Sequence, residues 1–434
     1  MEPAPPESPA DETLHRLQQA AFGYFLSHTN EDNGLVRDSS REGAPCSIAV
    51  VGFALSCYPV GVERGWIGRR AAAARVQKAL RFFMDSAQSD HADSVTGYRG
   101  FYYHFLDMQT GERVWNCELS VIDTTLFVAG ALTAAHYFSG ADPVEAEIRS
   151  LADKIHRRID FAWALDHETG AFVQGWRPEG GFIHYDWNGY SEAIILYVLA
   201  AAGLSREDAG RAYHAWTSCY QWENIYGSDV LYAGPLFIHL FSHAWIDFRG
   251  IADAFMAARG TDYFRNTTRT VGLQQTYCHL NPGEFAGYHE HSWGLTACDG
   301  PSGRLAMRSG ASRDFYGYAA RGAPFGPDDG TLAPWAPLAC LPFAEEAALR
   351  CLTGRLRDFP EVLEQDRFRG SFNPSLPGDG AAGWVSPDCF GLDQGLVVMM
   401  IENHRSGLIW KLTRGAAVFR DGLRALGFGG GWLA

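Results

Sequence analysis

The stretch 119–163, "LSVIDTTLFVAGALTAAHYFSGADPVEAEIRSLADKIHRRIDFAW", holds two helices of opposite character. Residues 119–138 are apolar on nearly every side. Residues 143–163 are amphipathic, with Glu, Asp, Lys and Arg on one face. A helix apolar all round must be wrapped by other elements, whereas an amphipathic one covers a core with one stripe. The pair reads as an inner helix followed by an outer one.

The same alternation recurs along the chain. The segments 191–203, 331–340 and 393–402 are apolar nearly all round, and 68–87, 206–222 and 343–357 are amphipathic. Further helices are expected at 11–29, 46–58, 235–257 and 260–281, with 393–411 and 412–427 closing the chain. Inner–outer alternation predicts an all-α fold, an (α/α)6 toroid of helical hairpins. An α-solenoid would need a sequence period, and none is visible. Strand signal is confined to loops. "FYYHFLDMQTGERVWN" reads as a hairpin around 109–112, and "GAFVQGW" with "GGFIHYDW" as another. The segment 282–330 has no helical period, and a connection that long is usually functional. No linker divides the chain. The organisation expected is a disordered, Pro-rich segment 1–10 and a single domain over 11–434.

The chain of 434 residues has a net charge of −14, 47% hydrophobic and 13% aromatic residues. No basic block is present, which argues against a nucleic-acid partner. No apolar run is long enough to span a membrane. The first residues lack the basic and apolar regions of a signal peptide. That predicts a cytoplasmic protein, or a periplasmic one if a leader has been removed. The nine cysteines form no CxxC pair, so free thiols are expected, with no metal and no cofactor. His239 and His243 are four apart on an apolar helix, which fits a core pair better than a metal pair. His289, Glu290 and His291 suit sugar contact or loop structure as well as metal.

The unusual residues gather where loops enter inner helices. Glu118 and Asp123 precede or open 119–138. Asp186 and Glu192 stand before the apolar run from Ala193. Asp229 precedes the helix at 235, Asp328 and Asp329 the one at 331, and Asp388 and Asp393 the one at 393. In a toroid these starts converge on one rim. Helix capping explains many of the acids, and Asp328 and Asp329 before Gly330-Thr331 look most like caps. Glu192 fits capping less well. A carboxylate heading an unbroken apolar run is costly unless paired or used, and burial raises its pKa, which suits a general acid. Aromatic residues accompany the acids: Tyr98, Trp115, Trp187, Tyr190, Tyr232, Trp293, Tyr316, Tyr318 and Trp335. Their faces can stack on sugar rings, while acids bond to hydroxyls. The combination suits a glycosidase, which needs one protonated and one ionised carboxyl group.

At the level of motifs the chain resembles a known family. "GLVRDSS", "FYYHFLDMQTGERVWNCELSVIDTTLFVAG", "WNGYSEAIILYVLA", "LYAGPLFIHLFSHAWIDFRG", "SWGLTACDGPSG" and "GLDQGLVVMMIENHRSGLIW" are similar to bacterial glucoamylase-type proteins, including the β-1,2-glucanases of glycoside hydrolase family 144. The glucanase-like domain of cyclic β-1,2-glucan synthases is of the same type. The likeness runs from about Gly34 to Trp410. It implies an (α/α)6 barrel and inverting, metal-free hydrolysis of β-1,2-glucan. Glu192, in "GYSEA", would be the general acid. Asp393 would be the base, with Asp388 as second choice. Glu118 and Asp123 would line the cleft near the cleaved bond. Trp187, Tyr190, Asp186, Tyr232, His289, Trp293, Asp329, Trp335 and Asp388 are the residues expected to contact substrate. Asp229 stands where the family pattern leads one to expect glutamate. Two alternatives stay open: a transglycosylase on the same scaffold, and a glucan-binding protein without catalysis. A polysaccharide lyase, which binds uronates with basic residues, fits the acidic balance poorly.

Overall fold

A computed structural model of the chain describes residues 9–378 and 380–434. The expected disorder of 1–8 lies outside the described residues. Pro9 and Ala10 already belong to the first helix, α1 (Pro9–Ser27).

Two kinds of helix alternate. α2 (Ile48–Glu63), α4 (Val121–Tyr137), α6 (Ile194–Ala200), α8 (Leu236–Trp245), α11 (Ala336–Ala339) and α13 (Gly391–Arg405) are buried along most of their length. α1, α3 (Arg69–Asp85), α5 (Pro143–Arg158), α7 (Arg206–Ser218), α10 (Tyr263–Leu280) and α12 (Glu345–Asp358) each bury one face. α5 illustrates the outer type. Asp142 accepts from the Val144 N–H at 2.8 Å, Pro143 fills the first turn, and Arg157 and Arg158 end the helix. Its buried residues Ile148, Leu151, Ala152 and Ile155 make one stripe.

The buried helices pack on one another in order. α4 lies between α2 and α6, α8 touches α11 and α13, and α13 returns to pack on α2 and α1. The α2–α4 crossing is close because two glycines meet there. A Cβ on Gly52 would lie 2.3 Å from the Leu126 carbonyl oxygen, and one on Gly130 2.0 Å from that of Gly52. The remaining helices are the single turn α9 (Ala254–Ala257), then α14 (Leu408–Gly415) and α15 (Ala417–Ala425). α14 and α15 pack beside the C-terminal ends of α4, α6 and α8. There Gly415 abuts His136, Gly422 abuts Val198, and the Trp410 indole donates to the His243 carbonyl at 2.7 Å. The C-terminal ends are thus covered, and the N-terminal ends face the loops.

Short strands lead into those N-terminal ends. A five-stranded antiparallel sheet runs in the order Gly97–Tyr98, Phe101–Tyr103, Leu119–Ser120, Gly175–Arg177, Gly181–Phe182. Its central strand continues directly into α4. Cys46–Ser47 pairs with Phe105–Leu106 and continues into α2. His104 therefore sits between the strands that feed α2 and α4.

Several helices are shorter than their sequence suggests. The helix expected over 206–222 stops at Ser218, because Trp222–Ile225 turns back on Ser228–Leu231 through Tyr226-Gly227, both at positive φ. The one expected over 235–257 stops at Trp245, where buried Asp247 turns to pair with Arg249 and Arg414. Pro334 and Pro337 reduce 331–340 to one turn. Gly407, at φ 66°, breaks 393–411 into α13 and α14. The segment 282–330 contains a hairpin, Ser302–Ala306 with Ser312–Tyr316. No helix among the described residues is long and apolar enough to cross a membrane.

Candidate active site

Glu192 stands at the head of α6. Its carbonyl accepts from the Ser242 hydroxyl of α8 at 2.6 Å, and that hydroxyl accepts from the Ile195 N–H at 3.2 Å. The backbone beneath the carboxyl group is thus pinned to the neighbouring inner helix. Burial raises the Glu192 pKa. Its own backbone N–H works against this, the charge of Asp123 adds to it, and the group reaches about 7. The residue remains partly accessible to solvent.

Asp123 opens α4. The Ser120 hydroxyl donates to its carboxylate at 2.5 Å and accepts from its N–H at 3.2 Å. Glu118 lies one strand earlier. Between them stands His104, its Nδ1 2.9 Å from Glu118 and its Nε2 3.6 Å from Asp123. Burial works to lower the His104 pKa, but Asp123, Glu118 and Asp38 together outweigh it and push it up to about 9. The same contact holds Glu118 below the usual range against its own burial, with Arg177 helping from 3.8 Å.

Asp393 occupies the first turn of α13. Burial raises its pKa well above normal, Asp299 and Asp38 add to the rise, and the Trp335 indole opposes it. Burial likewise lifts Asp38 to about 6, with Asp123 adding and His104 and Arg41 opposing. The Ser386 and Ser371 hydroxyls donate to Asp299 at 2.5 and 2.9 Å. The Tyr318 hydroxyl is pushed up to about 12, first by burial, then by Cys298 and by the charges of Asp393, Glu192 and Asp123. Its ring is 74% exposed.

The other residues expected at the site are distributed differently. Trp187 and Tyr190 line the approach to α6, half-buried. The Trp187 carbonyl accepts from the Tyr197 hydroxyl, and the Tyr190 ring packs on Tyr263 and His239. Asp186 accepts from the Thr169 hydroxyl at 2.8 Å. The Tyr232 hydroxyl accepts from the Phe325 N–H. Asp388 is held by Arg41 at 2.8 and 3.0 Å. Asp329 is buried with both oxygens on Arg321, at 2.7 and 2.8 Å. Trp293 and Trp335 are both buried. His289 is exposed in a groove beside the outer helix α12. Asp229 accepts from Asn224 at 2.7 Å in the 222–231 hairpin.

His104, Asp38 and Asp299 were not among the residues singled out from the sequence. The available signal was a lone histidine inside an aromatic strand, "FYYHFLD", and single acids in "GLVRDSS" and "ACDGPSG". None is near Glu192 in the chain. Trp115 stands out for another reason. It and Asn116 are successive non-glycine residues at positive φ, 58° and 50°. Such backbone persists only where the surroundings enforce it. Here it leaves the indole 71% exposed, against Phe105, which stacks on His104. Among the described residues no group of three His, Cys, Asp or Glu side chains is arranged to hold a metal ion.

The chain is similar to several known proteins. A sequence model of the family described as "Putative glucoamylase" matches residues 184–417, more than half of the chain. An exo β-1,2-glucooligosaccharide sophorohydrolase (non-reducing end) from Parabacteroides distasonis is 26% identical over 93% of this chain and 56% of its own length. The chain thus spans little more than half of that curated relative. A solved "putative glucoamylase" from Bacteroides uniformis superposes with a TM-score of 0.84 at 26% identity, over 99% of this chain and 100% of that one. An endo-β-1,2-glucanase from Chitinophaga pinensis, solved with sophorotriose and glucose, gives 0.82 at 24% identity, over 98% and 100%.

Proposed function

Because the chain belongs to the "Putative glucoamylase" family, we propose that it is a glycoside hydrolase that cleaves β-1,2-glucan with inversion. The scaffold is an (α/α)6 barrel formed by one catalytic domain over 11–434, with short strands at the open rim. The helix alternation and the Bacteroides and Chitinophaga structures support that reading. The substrate is carried over from the relatives named for β-1,2-glucans.

The observation that carries the proposal is Glu192. It is a carboxyl group lifted by burial to about 7, on a backbone pinned at the mouth of a buried helix, with the charge of Asp123 adding to the rise. Such a group keeps a large protonated fraction at neutral pH and can deliver its proton to a leaving glycosidic oxygen. Asp393 takes the role of base, deprotonating the attacking water directly or through a water relay. Inversion leaves room for that water between sugar and base, which in such enzymes means carboxyl groups about 6.5–9.5 Å apart.

One observation favours a second reading. Asp123 is the acid whose charge acts on Glu192. As a nucleophile it would give a covalent intermediate that sugar can capture, and the protein would be a transglycosylase. One experiment separates the two. Linear β-1,2-glucan is added to the protein, and proton NMR follows the first reducing ends formed. Initial α-anomer is expected. Initial β-anomer would reject inversion in favour of Asp123 as nucleophile, and no cleavage would reject the hydrolase reading.

Trp115 supplies a sugar-stacking face at the rim. Trp115→Ala should raise KM by roughly 2- to 10-fold, the worth of a stacked ring at about 0.5–1.5 kcal/mol. Turnover at saturation should change little. Unchanged KM on both long and short glucans would remove Trp115 from the binding surface.

A further inference from the structure

We propose that His104 is a positioning residue, a histidinium clamp that hydrogen-bonds Glu118 through Nδ1, pairs with Asp123 through Nε2, and thereby holds both carboxylates in place at the head of α4. The inference rests on the glycosidase reading for its kinetic consequences, but the clamp itself is a property of the folded chain.

Three features carry it. The first is geometry. Both ring nitrogens face carboxylates, at 2.9 and 3.6 Å. The shorter contact is a hydrogen bond, and the other, too long for one, is an ion-pair distance that favours the protonated ring. The second is restraint. The ring stacks on Phe105 at 3.9 Å between centroids, 13° from parallel. The His104 N–H donates to the Glu118 carbonyl at 3.0 Å, and its carbonyl accepts from the Ile48 N–H at 3.2 Å. The residue is therefore tied to the start of α2 and to the strand that feeds α4. The third is the commitment of the neighbouring cations. Arg41 is spent on Asp388, Arg321 on Asp329, and Arg177 reaches only the far oxygen of Glu118.

The groups that act on His104 are Asp38 from the loop before α2, Glu118 and Asp123. Without a cation among them, these carboxyl groups would compete with Glu192 for protons. Glu118, which the ring holds below the usual range, would take up a proton at higher pH. The clamp thus divides the cluster between Glu118, held low, and Glu192, which burial lifts to about 7. That division is what general acid catalysis requires.

His104→Asn retains a donor near the Nδ1 position and loses the contact to Asp123. His104→Gln reaches toward Asp123 and loses Nδ1. Both lose the charge. Each should lower kcat by about 10²-fold, as misplaced catalytic groups do. Each should also move the acidic limb of the kcat profile to higher pH, because the positive charge that holds Glu118 low is removed. KM should be nearly unchanged. Profiles that match the parent after scaling would reduce His104 to a structural residue and overturn the proposal. A second measurement needs neither substrate nor a folded variant. With 15N-labelled histidine in the parent protein, the His104 ring should remain protonated at both nitrogens through pH 8. A neutral ring at pH 7 would overturn the proposal. A parent protein inactive on β-1,2-glucan, by contrast, would reject the substrate reading and leave the NMR result to decide the clamp.

Discussion

Glu192→Gln is expected to fold like the parent and to lose about 10²–10⁴ in turnover, the usual value of a general acid. The amide replaces the carboxyl group at nearly constant shape. The contact that pins the loop is made by the Glu192 carbonyl to Ser242, and it survives the change. The substitution thus separates proton delivery from architecture. The pH dependence sharpens the expectation. A general acid works in its protonated form, and burial lifts this group to about 7. Parent turnover should therefore fall as pH rises through about 7. The residual activity of the variant should lack that basic limb. Turnover near the parental level, or a variant that keeps the limb, would take Glu192 out of the mechanism. A substrate with an activated leaving group, which needs no protonation, should recover much of the lost rate.

The legibility of this site follows from where its residues come from. Glu192 could be found because its anomaly is local: one acid stands directly before "AIILYVLA". The contrast between 119–138 and 143–163 could be found for the same reason, since inner and outer helices differ within a single turn's worth of pattern. Asp38 and His104 could not. Each is ordinary in its own segment. They meet Asp123 only because the strands feeding α2 and α4 both pair with the 101–106 segment and the two helices cross at Gly52 and Gly130. The opposite error arises at Trp293, Trp335 and Asp329. Aromatic residues and acids near a helix start read as rim residues, but the pattern does not tell a rim from the layer beneath it. Trp293 fills the core. Asp329 is turned inward by an arginine eight residues earlier, in a loop whose path the sequence does not reveal. Helix ends suffered similarly, because buried Ile246, Phe248 and Ile251 continue the apolar pattern of α8 after its helix has stopped.

Asp329 gives the other large effect, and it falls on stability. Arg321 and Asp329 are both fully buried and joined by two hydrogen bonds of 2.7 and 2.8 Å. Removing one member of such a pair leaves an uncompensated buried charge and costs about 3–5 kcal/mol. Asp329→Ala should therefore lower the denaturation midpoint strongly, with Arg321 stranded. Replacing both partners by apolar residues of similar volume should recover much of the loss, because the desolvation penalty of both charges disappears with them. The pair also organises the site from below. The guanidinium donates to the Cys298 and Gly317 carbonyls, each at 2.9 Å, and Asp329 accepts from the Tyr316 N–H at 3.2 Å. Those are the roots of the loop that carries Tyr318. The double replacement should thus regain stability but not full activity, since nothing then fixes the loop that carries Tyr318. A sugar contact would behave otherwise: Asp329→Ala would raise KM and leave the midpoint alone. That outcome would return Asp329 to the binding surface and would mean that Arg321 has another route to neutralisation.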